Sequence, residues 1–230
     1  MTEQLHPSCQ EFISRLTHEI RNDLTLISSS MQLLESDCPA VVQSDLWTQI
    51  QTDLNSVFHL LSDISALNIR QKLCLSRIPA VSFLTAVISS FYPLAASRNI
   101  LFSADLSALS SSSALIDIDK IKLREVLINL LVNAVDAVTA SCISPQILLL
   151  TETDEHCLHI HVKDNGPGIP ENYLSTLFDP FVTHKSSGTG LGLNIVKTIT
   201  ELHHGTVVVH TDCTPEHSWT DFCISLPLVK

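Results

Sequence analysis

Five of the six glycines in this 230-residue chain fall between Gly166 and Gly192. They lie in the runs Asp164-Asn165-Gly166-Pro167-Gly168-Ile169-Pro170 and Gly188-Thr189-Gly190-Leu191-Gly192-Leu193. A chain this sparing with glycine has put it where backbone passes close to something. Lacking a Cβ and free to adopt positive φ, glycine lets main-chain N–H groups approach phosphate oxygens that a side chain would block. Each run therefore reads as half of a nucleotide pocket. The spacing Gly188-x-Gly190-x-Gly192 misses the dinucleotide fingerprint, and the chain contains no GxxxxGK[ST] phosphate loop.

A third element lies upstream, Glu125-Val126-Leu127-Ile128-Asn129-Leu130-Leu131-Val132-Asn133-Ala134. At 3.6 residues per turn Glu125, Asn129 and Asn133 share one helix face, while Leu127, Leu130, Leu131 and Ala134 line the opposite side. Two carboxamides on an otherwise apolar helix need partners, because an unpaired buried amide costs about 1–3 kcal/mol. Magnesium and phosphate oxygens would supply them.

In this order the helix Glu125–Ala137, the Asp164–Pro170 loop, Leu177-Phe178-Asp179-Pro180-Phe181 and Gly188–Leu193 resemble the N, G1, F and G2 boxes of histidine protein kinases. Upstream, Phe12-Ile13-Ser14-Arg15-Leu16-Thr17-His18-Glu19-Ile20-Arg21-Asn22 is similar to the phosphoacceptor H box of the same family. The resemblance spans almost the whole chain. It implies autophosphorylation of His18 by Mg²⁺-ATP, then transfer to an aspartate on the receiver domain of a response regulator.

The resemblance also distributes roles. His18 is the nucleophile, its neutral imidazole offering a lone pair near pH 7. Glu19 accepts or orients the imidazole proton, and Asn22, one turn along, holds a water where such kinases also act as phosphatases. Asp164 accepts the exocyclic amine of adenine. Asn133 is the Mg²⁺ ligand and Asn129 its phosphate-side neighbour, a small set that suits a cation which keeps several waters. Lys185 sits in the short lid between Phe181 and Gly188, where a cation offsets charge on the transferring group. Gly166, Gly168, Gly188, Thr189, Gly190, Leu191 and Gly192 form the backbone walls. The Gly190–Leu193 turn opens a helix through Ile195, Val196 and Ile199 whose positive end faces the phosphates. One departure from the family pattern is Asp23, where proline is usual after Asn22; the first helix is then straighter, which bears on phosphatase activity.

Several elements must position these groups. Ile13, Leu16, Ile20, Leu24, Ile27, Met31 and Leu34 step by three or four, Pro39 interrupts, and Leu46, Ile50, Leu54, Val57, Leu61, Ile64 and Leu67 repeat the stepping. Residues 1–70 thus read as a helical hairpin, and two such hairpins bury both seams as a four-helix bundle, so a homodimer is expected. In residues 71–230 helices are expected over 79–96 and 119–140, and strands over 72–77, 100–105, 114–118, 146–153, 157–164, 206–211 and 219–226. The fold class is α+β, the hairpin followed by an α/β sandwich with a mixed sheet. Two apparent chemical signals have plainer readings. Cys157, His159 and His161 alternate as the solvent side of a strand, and Gly205 in His203-His204-Gly205 is a helix C-cap.

Composition fits. A net charge of −11, from 13 Lys and Arg against 24 Asp and Glu, argues against nucleic-acid binding. Seven cysteines without a CxxC pair suit a reducing cytosol, and the N-terminus has no apolar signal region. Ile78–Ser97 carries no charge and has the length of a membrane span, but its prolines, serines and apolar stripe suggest a packed helix, so no membrane insertion is expected. The input is expected from an upstream sensor protein or from a sensor domain outside these residues. Two other readings share the motifs: a phosphotransfer scaffold whose ATP site has lapsed, and an ATPase or serine kinase of the superfamily that includes gyrase.

Overall fold

The computed structural model describes residues 16–229 except 18, 19, 21, 22, 25, 29, 32, 33, 36, 37, 68–72, 110–113, 142, 143, 180, 181, 183–189, 191, 215 and 216. The chain separates into two compact units, Met1–Gln71 and Lys72–Lys230.

In the first unit the described residues between Leu16 and Glu35 are helical, and helix α1 runs Asp45–Leu67. The turn between them is pinned by Glu35, whose Oε1 accepts from Trp47 Nε1 at 2.9 Å and Gln51 Nε2 at 2.8 Å. Met31, Trp47 and Leu61 are buried. Leu16, Ile20, Ile27, Leu34, Leu46, Ile50 and Val57, most of the expected seam among the described side chains, are exposed in the single protomer.

In the second unit β1 (Ser76–Pro79) and β3 (Leu115–Ile118) form a two-stranded antiparallel ribbon. The main sheet is mixed, with the order β2-β4-β5-β7-β6. Its strands are β2 (Leu101–Asp105), β4 (Gln146–Thr153), β5 (Cys157–Asp164), β6 (Thr206–Asp212) and β7 (Trp219–Pro227). Among the described residues only β2 and β4 pair in parallel. Helices α2 (Ala80–Ser97), α3 (Lys120–Ser141) and α5 (Gly192–Leu202) pack on one face, and α4 is a single turn, Glu171–Leu174. Strand alternation supplies the core: Ile147, Leu149, Leu158, Ile160, Val162, Phe222, Ile224 and Leu226 all turn towards the helices and are buried.

Helix α2 is long and apolar enough to cross a membrane by length and composition. Here Phe83, Leu84, Val87, Ile88 and Phe91 are buried, and the Phe91 ring meets Phe102 edge-on at 4.8 Å. The hydroxyls of Thr85, Ser89, Ser90 and Ser97 are satisfied within the helix, as in Thr85 to Val81 O and Ser89 to Thr85 O.

Two expectations need correction. The first strand is Ser76–Pro79 and not 72–77, because its partner β3 ends at Ile118 and helix α3 begins at Lys120. Asp119 caps α3 by accepting from Ile121 N and Lys122 N through Oδ1, and its Oδ2 takes Cys74 N, so the chain before Ser76 bonds a side chain instead of a ladder. The left-handed residue ending α5 is His204 (φ 59), not Gly205. Glycine is needed at 205 for a different reason: a Cβ there would strike the Ser225 carbonyl of β7.

Candidate nucleotide site

Helix α3 carries the site. Leu123, Val126, Leu127, Leu130, Leu131, Ala134 and Val138 are buried, which turns the strip Glu125, Asn129, Asn133 and Ala137 sideways into a half-buried position. This strip steps by four, so successive members stand one turn apart. Asn129 Nδ2 donates to the carbonyl of Glu125 at 3.0 Å, which fixes the carboxamide along the helix. The Glu125 carboxylate itself pairs with Lys122 Nζ at 3.2 Å. Glu125 therefore orients Asn129 through its backbone, and its side chain is engaged elsewhere.

Both glycine runs come to this strip. A Cβ on Gly192, the first residue of α5, would lie 3.4 Å from Asn129 Oδ1. A Cβ on Gly166 would lie 2.9 Å from Ala137 Cβ and 2.6 Å from Asp164 Oδ1. The first run thus rests one turn after Asn133 and the second one turn before it. Asn133, half-buried, stands between them.

Asp164 ends β5 and is only 4% exposed. Its Oδ1 accepts the N–H of Gly166 at 2.8 Å, a tight turn that brings the loop back over the carboxylate. Asn165 ties the loop to the start of β4, accepting from Gln146 N and donating to Ser144 O, both at 2.8 Å. Further along, Gly168 adopts φ 76, and a Cβ there would collide with the Asp212 carbonyl. Ile169 N donates to Thr211 Oγ1 at 2.8 Å, and that hydroxyl donates onward to Trp219 O at 2.9 Å. The loop is therefore strapped at both ends to the sheet.

The other run leads into α5 through Gly190 at φ 69. Ile195, Val196 and Ile199 are buried and press α5 against α3. Asn194 Nδ2 donates to Phe178 O at 3.0 Å, joining α5 to the segment after α4. Thr211 and Asn194 were missed in the sequence; an asparagine just inside a helix start was a signal for the second, and Thr211 gave none. Lys185, Gly188, Thr189 and Leu191 lie outside the described residues, as do His18, Glu19 and Asn22.

The donor set fits a magnesium nucleotide. Glycine surfaces that a Cβ would fill line the cradle, two carboxamides offer neutral oxygens, and an eleven-residue helix points its N-terminus at it. Among the described residues no group of three His, Cys, Asp or Glu could hold a metal ion by itself. A cation here would need phosphate oxygens and water to complete its shell.

Cys157, His159 and His161 are half-buried and bonded, not a bare solvent edge. His159 meets Ser225 Oγ and Asp154 Oδ2, and His161 meets Asp221.

Two family models match the chain. The His Kinase A (phospho-acceptor) domain covers residues 9–71, and the Histidine kinase-, DNA gyrase B-, and HSP90-like ATPase covers residues 118–230. Sporulation kinase A of Bacillus subtilis (strain 168) is 34% identical over 213 residues, which are 92% of this chain and 33% of that protein. The chain spans about a third of the length of the curated relatives it matches. Full-length ShkA, crystallised in complex with AMPPNP, shares the fold with a TM-score of 0.79 at 23% identity, over 96% of this chain and 46% of that one. Histidine kinase ThkA, crystallised with the response regulator protein TrrA, shares it with a TM-score of 0.64 at 23% identity, over 95% of this chain and 61% of that one. The chain belongs to the histidine protein kinases.

Proposed function

We propose that this chain is the catalytic part of a dimeric histidine kinase that binds Mg²⁺-ATP on its second unit and phosphorylates His18 on its first. The observation that carries the reading is the helix α3 strip, where Asn129 meets Gly192 and Ala137 meets Gly166 on either side of Asn133. Asp164 would accept the adenine amine. A carboxylate has about four lone-pair sites, so the bond from Gly166 leaves capacity for that amine. Asn133 would ligate Mg²⁺, which draws charge from the phosphate oxygens, and Asn129 would face the same oxygens. The backbone of Gly166, Gly168, Gly188, Thr189, Gly190, Leu191 and Gly192 would wall the nucleotide, with Lys185 above the triphosphate.

His18 would attack in line through an unprotonated ring nitrogen, and Glu19 would take or steady the proton on the other nitrogen. The phosphoryl group then passes to a receiver-domain aspartate. The family and the ThkA–TrrA complex support that acceptor. Asn22 would hold a water for hydrolysis of the same regulator, a phosphatase activity of one site.

The apolar residues left exposed on the hairpin, Leu16, Ile20, Ile27, Leu46 and Ile50 among them, support a homodimer that covers them. The described cysteines are all free thiols, which supports a cytosolic setting. The signal would reach the hairpin from a sensor segment or a sensor protein, and no nucleic acid or membrane contact is needed.

Calorimetric titration with ATP in the presence and absence of Mg²⁺ tests the site. The wild type binds and Mg²⁺ tightens binding; Asn133→Ala removes the Mg²⁺ effect while adenine recognition persists. An absence of nucleotide binding would favour the lapsed scaffold, and steady phosphate release without phosphoprotein would favour the ATPase.

A further inference from the structure

The face of the main sheet turned away from the helices carries a second arrangement of reactive groups. Strand β7 pairs with β5 so that Cys223 stands directly opposite His161, with Asp221 two residues along. His161 Nδ1 lies 3.0 and 3.2 Å from the two carboxylate oxygens of Asp221, and His161 Nε2 lies 3.5 Å from Cys223 Sγ. An ionised carboxylate can only accept, so in the neutral imidazole the ring proton belongs on Nδ1 and the Nε2 lone pair faces the thiol. The His161 and Asp221 side chains are only 16% and 15% exposed, and Cys223 is 6% exposed. Neighbouring side chains therefore shield the trio from bulk water.

A structural staple between two strands would account for the His161–Asp221 bond alone. It would not account for a thiol placed on the one ring nitrogen able to take its proton. Carboxylate, imidazole and thiol in this order form the arrangement in which a base is oriented by an acid and activates a nucleophile. The nucleotide site uses none of the three.

We propose that Cys223 is a covalent modification site: a thiol that His161 deprotonates, with Asp221 orienting the ring, and that reacts with small peroxides. In the step Cys223 Sγ attacks one peroxide oxygen as His161 Nε2 takes the thiol proton. The O–O bond breaks, and the leaving hydroxide recovers that proton from His161 and departs as water. The sulfur is left as a sulfenic acid, oxidised by two electrons, and the peroxide is reduced by two. Burial pushes the Cys223 thiol up from its ordinary pKa, so the resting group is the neutral thiol and the reaction depends on the imidazole. Exposed Cys213 and Cys74 serve as internal standards.

The test is a short hydrogen peroxide pulse on the full chain at neutral pH, with denaturing alkylation and mass spectrometry to read each cysteine separately. Cys223 is expected to oxidise faster in the native chain than in the urea-unfolded chain. His161→Gln should slow Cys223 by about tenfold or more, with Cys213 unchanged. Asp221→Asn should slow it in the same direction, and near-ultraviolet circular dichroism shows which variants are folded. Cys223 oxidising no faster native than unfolded overturns the proposal without recourse to any variant, and so does an unchanged rate in folded His161→Gln.

Discussion

Gly192 rests on Asn129: a methyl group at 192 would lie 3.4 Å from the carboxamide oxygen, which Nδ2 in turn anchors to the Glu125 carbonyl. The start of α5 and the Asn129 amide therefore lie side by side, with room for little more than a methyl group between them.

Gly192→Ala should separate folding from binding. Its backbone needs no positive φ, and alanine favours a helix, so stability should change by less than about 1 kcal/mol. The added methyl would make only an ordinary contact with the Asn129 amide but would occupy space in the proposed nucleotide cradle, so ATP affinity should fall about tenfold, equivalent to about 1.4 kcal/mol. Gly168→Ala should do the reverse. At φ 76, and with the Asp212 carbonyl in the way, it should cost about 2 kcal/mol or more of stability. Urea unfolding and calorimetry on both variants check the contrast.

Asp164 has a structural duty and a proposed recognition duty, which two substitutions should resolve. Asp164→Asn keeps an oxygen for the Gly166 N–H, so unfolding should shift by about 1 kcal/mol or less while ATP binding falls at least about tenfold. Asp164→Ala leaves that N–H without its acceptor and should cost about 1–3 kcal/mol in stability as well.

Far from the pocket, His203 braces the start of α3. Its Nδ1–H donates to Ile199 O at 2.8 Å, and its Nε2 accepts Asp119 N at 3.0 Å, with the ring 3% exposed. His203→Ala should cost about 2–4 kcal/mol, from the cavity and the orphaned N–H together. Asp119→Ala, which removes the cap, should cost about 1–2 kcal/mol. Equilibrium unfolding reads both.

The β4–β5 hairpin should sense acid. Asp154 is held at about 2, below its usual 3.8, by the N–H of His156, by His159 and by the N–H of Cys157. A carboxylate whose folded pKa is depressed stabilises the fold above its unfolded pKa, and that contribution is lost as pH falls from 3.8 towards 2. Asp154→Asn should therefore flatten the decline of thermal stability across that window, and leave a constant offset above it.

The parts of this fold that repeat locally were legible in the sequence. The α3 strip and its buried Leu127, Leu130 and Leu131 follow from a 3.6-residue period, and the inward Leu158, Ile160 and Val162 of β5 from alternation. What joins distant segments was not. His203 reaches Asp119 across 84 residues through helix packing, and His161 reaches Cys223 across 62 through a strand register; no local pattern encodes either. The choice between His204 and Gly205 for the left-handed turn depended on the Ser225 carbonyl, supplied by a strand that begins fourteen residues after Gly205. The hairpin seam was legible as a pattern, but which of its residues a single protomer buries was not.

The central claim is that the nucleotide held beside α3 gives its terminal phosphoryl group to His18. Incubation of the full chain with Mg²⁺-ATP, followed by mass spectrometric mapping at alkaline pH where phosphohistidine survives, tests it directly. The account predicts a phosphoryl group on His18 that is absent from His18→Gln and from folded Asp164→Asn. A phosphoryl group found on serine or threonine, or none on a chain that binds ATP and releases phosphate, would contradict it.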